Sequence, residues 1–252
     1  MKKLTFILGL TVMSLLMNAC KKDAATTQTY PYSVRMTDAP GPYTAVYIDL
    51  QGVEITGGDG KAVILNVNKG IYNLLRFSNG LDTLIASGTL LNANVEQVRL
   101  ILGTNNSVVV GGVSHPLSTP SAEQSGLKLQ VHQTLQAEQL STVLLDFDAN
   151  KSIIQEGNGT YKLKPVLRTI VAADCGLIRG KITPAGVVAF VEATSSITYS
   201  SNITASGDFL LMGLPPGTYS VTVTPLLPLL PITVNNITVT KGVTTDIGVI
   251  VF

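Results

Sequence analysis

Apolar and polar residues alternate along most of this chain. Residues 46–51 and 127–132 show the pattern clearly, with an apolar residue at every second position. Because successive side chains of a β-strand point to opposite faces of a sheet, a period of two predicts strands with one buried face. No long window carries a helical stripe, although residues 71–77 fit either one or two helical turns or a buried strand. The sequence therefore predicts an all-β fold.

Turn-forming residues divide these strands. Gly57-Gly58-Asp59-Gly60, Asn79-Gly80 and Gly157-Asn158-Gly159 lie between strand candidates, and glycine and asparagine accept the positive φ that tight turns need. A chain of 252 residues is near the size at which one hydrophobic core gives way to two. We predict two β-sandwich domains, residues 30–172 and residues 176–252.

A series of short motifs in the first domain occurs in the order seen in a known family. The motifs are Thr37-Asp38-Ala39-Pro40, Asn79-Gly80, Gln97-Val98-Arg99-Leu100, Ser125-Gly126-Leu127-Lys128, Leu145-Asp146-Phe147-Asp148 and Leu163-Lys164-Pro165-Val166. Residues 32–170 thereby resemble a bacterial, Bacteroidota-type lipoprotein domain of unknown function, number 4382. The resemblance implies a β-sandwich and a lipoprotein context, and no known activity.

The second domain carries a different resemblance. Ser206-Gly207-Asp208-Phe209, followed by residues 213–219, is similar to the hairpin region of carboxypeptidase-regulatory-like domains. That family has a transthyretin-like, carbohydrate-binding-like sandwich and commonly serves as a spacer or binding module. Gly213 and Gly217 permit positive φ in this hairpin, and the ring of Tyr219 can cover the sandwich end.

The N-terminus has the pattern of an export signal. Two lysines precede an apolar run over residues 4–17, and Ala19-Cys20 follows. The run is too short for a stable membrane span. The segment resembles a bacterial lipobox, which implies that residues 1–19 are removed and that Cys20 is lipidated, with residues 20–29 as lipidated cysteine and tether. An ordinary secretory signal is the alternative.

These features predict a lipid-anchored protein of the cell outer membrane, exposed at the surface. Acyl chains, and not basic residues, would hold it there, because 17 Lys plus Arg stand against 16 Asp plus Glu. The same balance excludes a nucleic-acid binder that depends on a basic surface. The expected partners are the membrane, through the anchor, and a glycan or protein.

The sequence offers no strong catalytic motif. His115 and His132 build no zinc motif, and no Gly-x-Ser-x-Gly elbow is present. Cys175 has no partner for a disulfide if Cys20 is lipidated, and we expect it to be a small buried residue at the domain junction. We predict that the protein is not an enzyme and uses no cofactor.

Asp146 and Asp148 are candidates for a metal site. Alternation places both on one face of a strand, and Asn150 extends the pattern of oxygen ligands that calcium prefers. Lys151 then stands where an EF-hand requires glycine, so the alternative is that the two carboxylates pair with Lys128, Lys164 or Arg99. The second interpretation is preferred, and no metal is predicted.

Tyrosines are the candidates for ligand recognition. Glycan-binding sandwiches stack exposed aromatic rings on sugars, and this chain has no tryptophan. Tyr43 and Tyr47, near the start of the first domain, and Tyr199, in a serine-rich segment expected to be a loop, are the residues considered. Packing in the core or on a sheet face is the alternative for each.

The segment 226–231 is the most unusual in the chain. Leu226, Leu227, Leu229 and Leu230 are interrupted and followed by prolines in a domain with few charges. An exposed loop here would form a docking surface for a partner. Alternatively, the leucines pack inward from an irregular edge strand.

These observations favour a non-catalytic surface lipoprotein that acts as a binding or adhesion module. A carbohydrate-binding accessory protein of a glycan-uptake system is the alternative. A hydrolase, which needs nucleophilic or acidic side chains gathered in one cleft, is the third hypothesis.

Overall fold

Strands account for 63% of the residues that the structure describes and helix for 4%, which confirms the all-β, sandwich-type fold class. The computed structural model describes residues 27–39, 43–119, 125–171 and 174–252. Cys20 and the predicted signal segment, residues 1–19, lie outside the described residues. Within those ranges, no helix has both the length and the hydropathy that a membrane span requires.

Two sheets form a first sandwich. Its strands are β1 (Tyr30–Ala39), β2 (Ala45–Gly57), β3 (Ala62–Ile64), β4 (Asn66–Val67), β5 (Gly70–Asn73), β6 (Thr83–Leu90), β7 (Asn94–Leu102), β8 (Ser107–Val110), β9 (Val113–Ser118), β10 (Leu127–Thr134), β11 (Ser141–Asp148), β12 (Ile153–Gln155), β13 (Tyr161–Leu163) and β14 (Leu167–Ile170). A 3-10 turn (Leu74–Arg76) and a short helix α1 (Ala149–Ser152) interrupt them.

The long strands organise these sheets. One sheet has the order β14-β11-β1-β6-β4, in which β1 pairs parallel with β11. The other has the order β10-β7-β2-β8-β9-β13-β12, and the 13-residue β2 also pairs with β3 and β5. Alternate residues of β1 and β11, such as Val34, Leu145 and Phe147, are fully buried between the sheets. The alternation in the sequence thus produces the core.

A second sandwich follows in the chain. Its strands are β15 (Gly176–Thr183), β16 (Ala189–Thr194), β17 (Thr198–Asn202), β18 (Asp208–Leu214), β19 (Gly217–Pro225), β20 (Ile232–Val239) and β21 (Thr244–Val251). They form one sheet of order β18-β15-β21 and one of order β17-β16-β19-β20. Its buried apolar residues make a cluster separate from that of the first sandwich.

Several local expectations differ from the structure. Residues 71–77 combine the end of β5 with the 3-10 turn, so neither interpretation alone is correct. Tyr199 lies in β17 and not in a loop, because residues 198–202 pair with the preceding strand β16 as a hairpin. His115 lies in β9, which forms a hairpin with β8 in the same way. Gly213 has φ of 65°, whereas Gly217 is not among the residues with positive φ.

The two sandwiches meet at the C-terminal end of β1. Phe77 and Leu81 accept hydrogen bonds from the hydroxyl of Thr37, at 2.7 and 2.9 Å, and this fixes the 77–81 segment at that end. The following turn contacts the second sandwich, where the hydroxyl of Ser201 donates to Oδ1 of Asn79 at 2.9 Å. Tyr30 begins β1 at the opposite end of the first sandwich, about 30 Å away at 3.3 Å per residue.

Candidate functional site

A cleft of about 330 Å3 lies where the two sandwiches meet. Ligand pockets in proteins commonly have volumes of about 300–1,000 Å3, so the cleft is large enough for one small ligand. The end of β11, helix α1 and β14 form one wall, and β17 and the end of β18 form the other. Its lining residues are Asp146, Asp148, Lys151, Val166, Leu167, Arg168, Thr169, Cys175, Ile197, Thr198, Tyr199, Ser200, Gly213 and Pro215.

Arg168 and Asp146 form an ion pair in the wall of the cleft. They are direct partners in the antiparallel pairing of β11 with β14, which places their side chains on the same face. Nε and Nη2 of Arg168 lie 2.7 and 2.6 Å from Oδ2 of Asp146. Burial raises the pKa of Asp146, and the guanidinium opposes that rise. The register of two strands therefore creates the pair.

Arg168 also connects the first sandwich to the second. Nη1 donates to the carbonyl oxygen of Gly213 at 2.7 Å, and Nη2 donates to that of Met212 at 2.8 Å. The guanidinium carbon lies 4.5 Å from the centroid of the Tyr199 ring, a cation–π distance. Every nitrogen of this guanidinium thus has a protein partner, and Asp146 balances its charge.

Gly213 permits this close approach. A Cβ at this position would overlap the side chain of Ile170, and the φ of 65° disfavours any other residue. At a neighbouring contact, a Cβ on Gly80 would lie 2.7 Å from Cδ2 of Leu210. The two sandwiches therefore pack backbone against side chain at two glycines.

Asp38, from the first family motif, lies buried behind this wall. Its Oδ1 accepts from the backbone N–H of Ala149 at 3.2 Å, while its Oδ2 has no hydrogen-bond partner among the described residues. Burial, and next the charge of Asp146, raise the pKa of Asp38 to about 9. The carboxyl group is therefore neutral at pH 7, and its proton belongs on Oδ2, because Oδ1 already accepts.

Asp148 has its own cationic partner. Its Oδ1 caps α1 by accepting from the backbone N–H of Lys151 at 2.9 Å, and its Oδ2 lies 2.7 Å from Nζ of the same lysine. The expectation that the two candidate carboxylates pair with Lys128, Lys164 or Arg99 is wrong. Arg99 instead pairs with Glu54, its neighbour across the β2–β7 ladder. Within the described ranges, no group of three or more His, Cys, Asp or Glu could hold a metal ion.

The candidate tyrosines do not form one surface. Tyr199 lines the cleft, with its ring 6.1 Å from that of Tyr219 in an edge-on arrangement. Tyr43 packs partly buried against the first core, and Tyr47 lies half-buried in β2 beside Asn73 of β5. Of the three, Tyr199 alone is a cleft residue.

The four candidate leucines lie in the loop between β19 and β20, and all are exposed. The alternative in which they pack inward is therefore wrong. The backbone N–H of Leu226 donates to the carbonyl oxygen of Val188 at 3.0 Å, which joins the loop to the start of β16. Cys175 lies half-buried in the cleft, and burial raises the pKa of its thiol.

Both histidines lie away from the cleft. The ring of His115 is 4.9 Å from that of Tyr161, and Nδ1 of His132 is 2.6 Å from Oε2 of Glu96. The cleft lining offers Ser200 and two threonines as hydroxyl groups, with no imidazole beside them in the described part of the chain. A serine–histidine pair therefore does not form there.

These features define an all-β protein of the sandwich type with a cleft between its two sandwiches. The family described as "Domain of unknown function (DUF4382)" matches residues 31–165, which is more than half of the sequence. The chain belongs to this family. The match includes Asp38 and Asp146 and ends before β14, so Arg168 lies beyond it.

Comparison with curated proteins finds no match. Among solved structures, the Bacillus anthracis TIE protein is 12% identical with a TM-score of 0.27, over 96% of this chain and 44% of that one. A shaft pilin SpaA from Lactobacillus rhamnosus GG is 9% identical with a TM-score of 0.23, and the match covers 89% of this chain and 98% of the pilin. A streptococcal ancillary pilin is 10% identical with a TM-score of 0.20, and the match covers 88% of this chain and 62% of the pilin.

Sequence reasoning missed Arg168 as the central residue of the site. It follows the last family motif and looks like one more polar residue in a strand. Arg168 lies directly opposite Asp146 of β11, but this register is a property of the folded sheet. The sequence alone carries no signal for it.

Proposed function

We propose that this protein is a non-catalytic binding or adhesion module, held to the outer membrane by a lipid on Cys20, which takes its ligand in the cleft between the sandwiches. The observation that carries the proposal is the cleft itself, whose walls come from both sandwiches and are joined by Arg168.

The charges of the cleft indicate the chemistry of the ligand. Asp146 and Asp148 are matched by Arg168 and Lys151, and each of the four is paired within the protein. An anionic or cationic ligand would have to displace one of these pairs and leave a charge unpaired, which is costly where Asp146 is buried. A neutral ligand fits without that cost.

The position of β1 supports a role at the surface. Tyr30 follows the proposed tether directly and lies at the end of the first sandwich remote from the cleft. A protein anchored through residues 20–29 would keep its ligand cleft away from the lipid attachment point. The carboxypeptidase-regulatory-like resemblance of the second sandwich agrees with a binding or spacer role.

Carbohydrate binding, as an accessory protein of a glycan-uptake system, is the second candidate. Tyr199 brings an aromatic ring into the cleft, and Thr198 and Ser200, its neighbours in β17, are also lining residues. Aromatic faces bordered by hydroxyl groups suit neutral sugars.

A glycan array probed with the chain from Lys21 onward tests this candidate. The Ser200→Tyr variant fills the cleft, and Ser114→Tyr adds the same side chain at an exposed site on β9. Binding by the wild type and the Ser114 variant, with loss in the Ser200 variant, supports glycan recognition in the cleft. If the folded wild type binds none of the plant and host glycans on the array, the carbohydrate-binding candidate is overturned.

Surface exposure is tested separately on intact cells. Protease added outside should cleave the protein before the cells are lysed. Protection until lysis would contradict a role in adhesion or capture at the surface.

A further inference from the structure

The loop between β19 and β20 and the adjoining start of β16 form an exposed apolar end of the second sandwich. We call it the apolar tip, and it consists of Val188, Leu226, Leu227, Leu229 and Leu230. Leu227 is 88% exposed and Leu230 is 74% exposed. Isolated exposed leucines are common on protein surfaces, but a contiguous group marks an interaction site.

The surroundings of the tip are free of charge. Residues 209–240 and 182–191, which include the tip and the strands that support it, contain no Asp, Glu, Lys, Arg or His. The three cations of the second sandwich pair elsewhere, Arg179 with Asp246, Lys181 with Asp208 and Lys241 with Asp174. A charged group entering hydrocarbon is expensive, and none would enter with this tip.

The backbone of the loop is also suited to an apolar medium. Pro225, Pro228 and Pro231 have no N–H group, and the N–H of Leu226 already donates to Val188. An unpaired N–H group in hydrocarbon costs free energy, so a loop with few free donors is easier to insert. Water would impose no such requirement, because it can accept from every free N–H group.

The composition of the tip further favours lipid over protein. A few residues contribute most of the binding free energy of a protein interface. Trp, Tyr and Arg are common among these residues, and leucine is under-represented. The tip contains leucine and valine alone. We infer that the apolar tip inserts into the interfacial region of a lipid bilayer, as a contact independent of the ligand cleft.

This contact would orient an anchored protein. The tether enters at the Tyr30 end of the first sandwich, whereas the tip belongs to the second. Ten residues of tether reach at most about 35 Å. Anchor and tip on one bilayer would bring both sandwiches to the membrane surface.

Flotation with neutral phosphatidylcholine vesicles tests the inference, using the chain from Lys21 onward, which includes every described residue and lacks Cys20. We expect the wild type to float with the vesicles at low and high salt alike, because no charge is involved. The double variant Leu227→Ser/Leu230→Ser should reduce the partition coefficient about tenfold or more, since each leucine loses most of its transfer free energy.

The matched control is Leu91→Ser/Leu140→Ser. These leucines are 71% and 68% exposed on the first sandwich, outside the tip, and their replacement should leave flotation unchanged. The loop is exposed, so we expect both double variants to keep the wild-type melting temperature.

Three results would overturn the inference. The first is that the folded wild type does not float with the vesicles, and the second is that both double variants lose flotation equally. The third is a dimer in lipid-free sedimentation that the Leu227/Leu230 variant abolishes. That result would assign the tip to a second copy of this chain. The glycan array reports on the cleft alone, so failure of one proposal is distinguishable from failure of the other.

Discussion

The guanidinium of Arg168 stacks on the ring of Tyr199, 4.5 Å from its centroid, and the two residues belong to different sandwiches. The same guanidinium holds Asp146 in its own sheet and two carbonyl groups across the junction. The side chain of Arg168 therefore neutralises the buried Asp146 of the first sandwich and also binds the backbone of the second sandwich.

Replacing Arg168 should weaken the whole protein. Arg168→Met leaves Asp146 buried without its cation, and breaking such a pair costs about 3–5 kcal/mol. Urea denaturation measures the loss. Arg99→Met is the matched control, because it breaks the partly buried pair with Glu54 inside one sandwich. Equal losses in the two variants, or none in Arg168→Met, would contradict the role given to Arg168.

The stability of the protein should depend on the proton of Asp38. The pKa is about 9 in the folded protein and near 3.8 in the unfolded chain, so between these values the folded state keeps a proton that the unfolded state has lost. Stability is therefore greatest at the acid end of this window and falls as pH rises toward 9, by up to about 1.4 kcal/mol per pH unit.

The variant Asp38→Asn checks this dependence. Its amide is uncharged like the protonated carboxyl, and it does not titrate, so the free energy of unfolding should vary less with pH than in the wild type. The variant should be the more stable of the two at pH 8. Parallel curves from pH 5 to 8 would show that Asp38 does not keep its proton.

Gly213 should not tolerate a methyl group. In Gly213→Ala the positive φ costs about 1 kcal/mol, and the overlap with Ile170 adds about 1–3 kcal/mol. Gly248→Ala separates the two effects, since its φ is 75° and no described atom lies within 4 Å of the added Cβ. Thermal unfolding of both proteins makes the comparison, and equal melting temperatures would argue against close packing at the junction.

Calcium should leave the melting temperature unchanged. Asp146 and Asp148 are already paired with Arg168 and Lys151, so a cation would have to displace a protein cation from each. Thermal melts in millimolar calcium and in a chelator should agree. A stabilisation by calcium that the chelator reverses would restore the metal hypothesis.

The proposed lipid anchor requires Cys20. Cells that make the Cys20→Ala protein should incorporate no labelled fatty acid into it, whereas the wild type should be labelled. Cys175→Ala is the control, because that thiol lies half-buried in the cleft, and it should be labelled like the wild type. Labelling of the Cys20→Ala protein would refute the anchor.

The strand pattern could be predicted because it is a local property. Each strand must present alternate apolar residues to a core, and this requirement is written in residues two positions apart. The ends of the strands are harder to predict from the sequence. Residues 161–167 look continuous in sequence, yet β13 and β14 belong to different sheets, because Pro165 lies between them and each strand pairs with a different partner.

The sequence by itself determined the all-β class, the turn positions and the family of the first sandwich, because these rest on residue chemistry and short-range spacing. The tertiary structure decided that Arg168 faces Asp146, that Tyr199 enters a cleft while Tyr43 and Tyr47 do not, and that the leucines of the β19–β20 loop are exposed. Those outcomes depend on register and on how two sandwiches meet. Such contacts join residues far apart in the chain, where no local pattern records them.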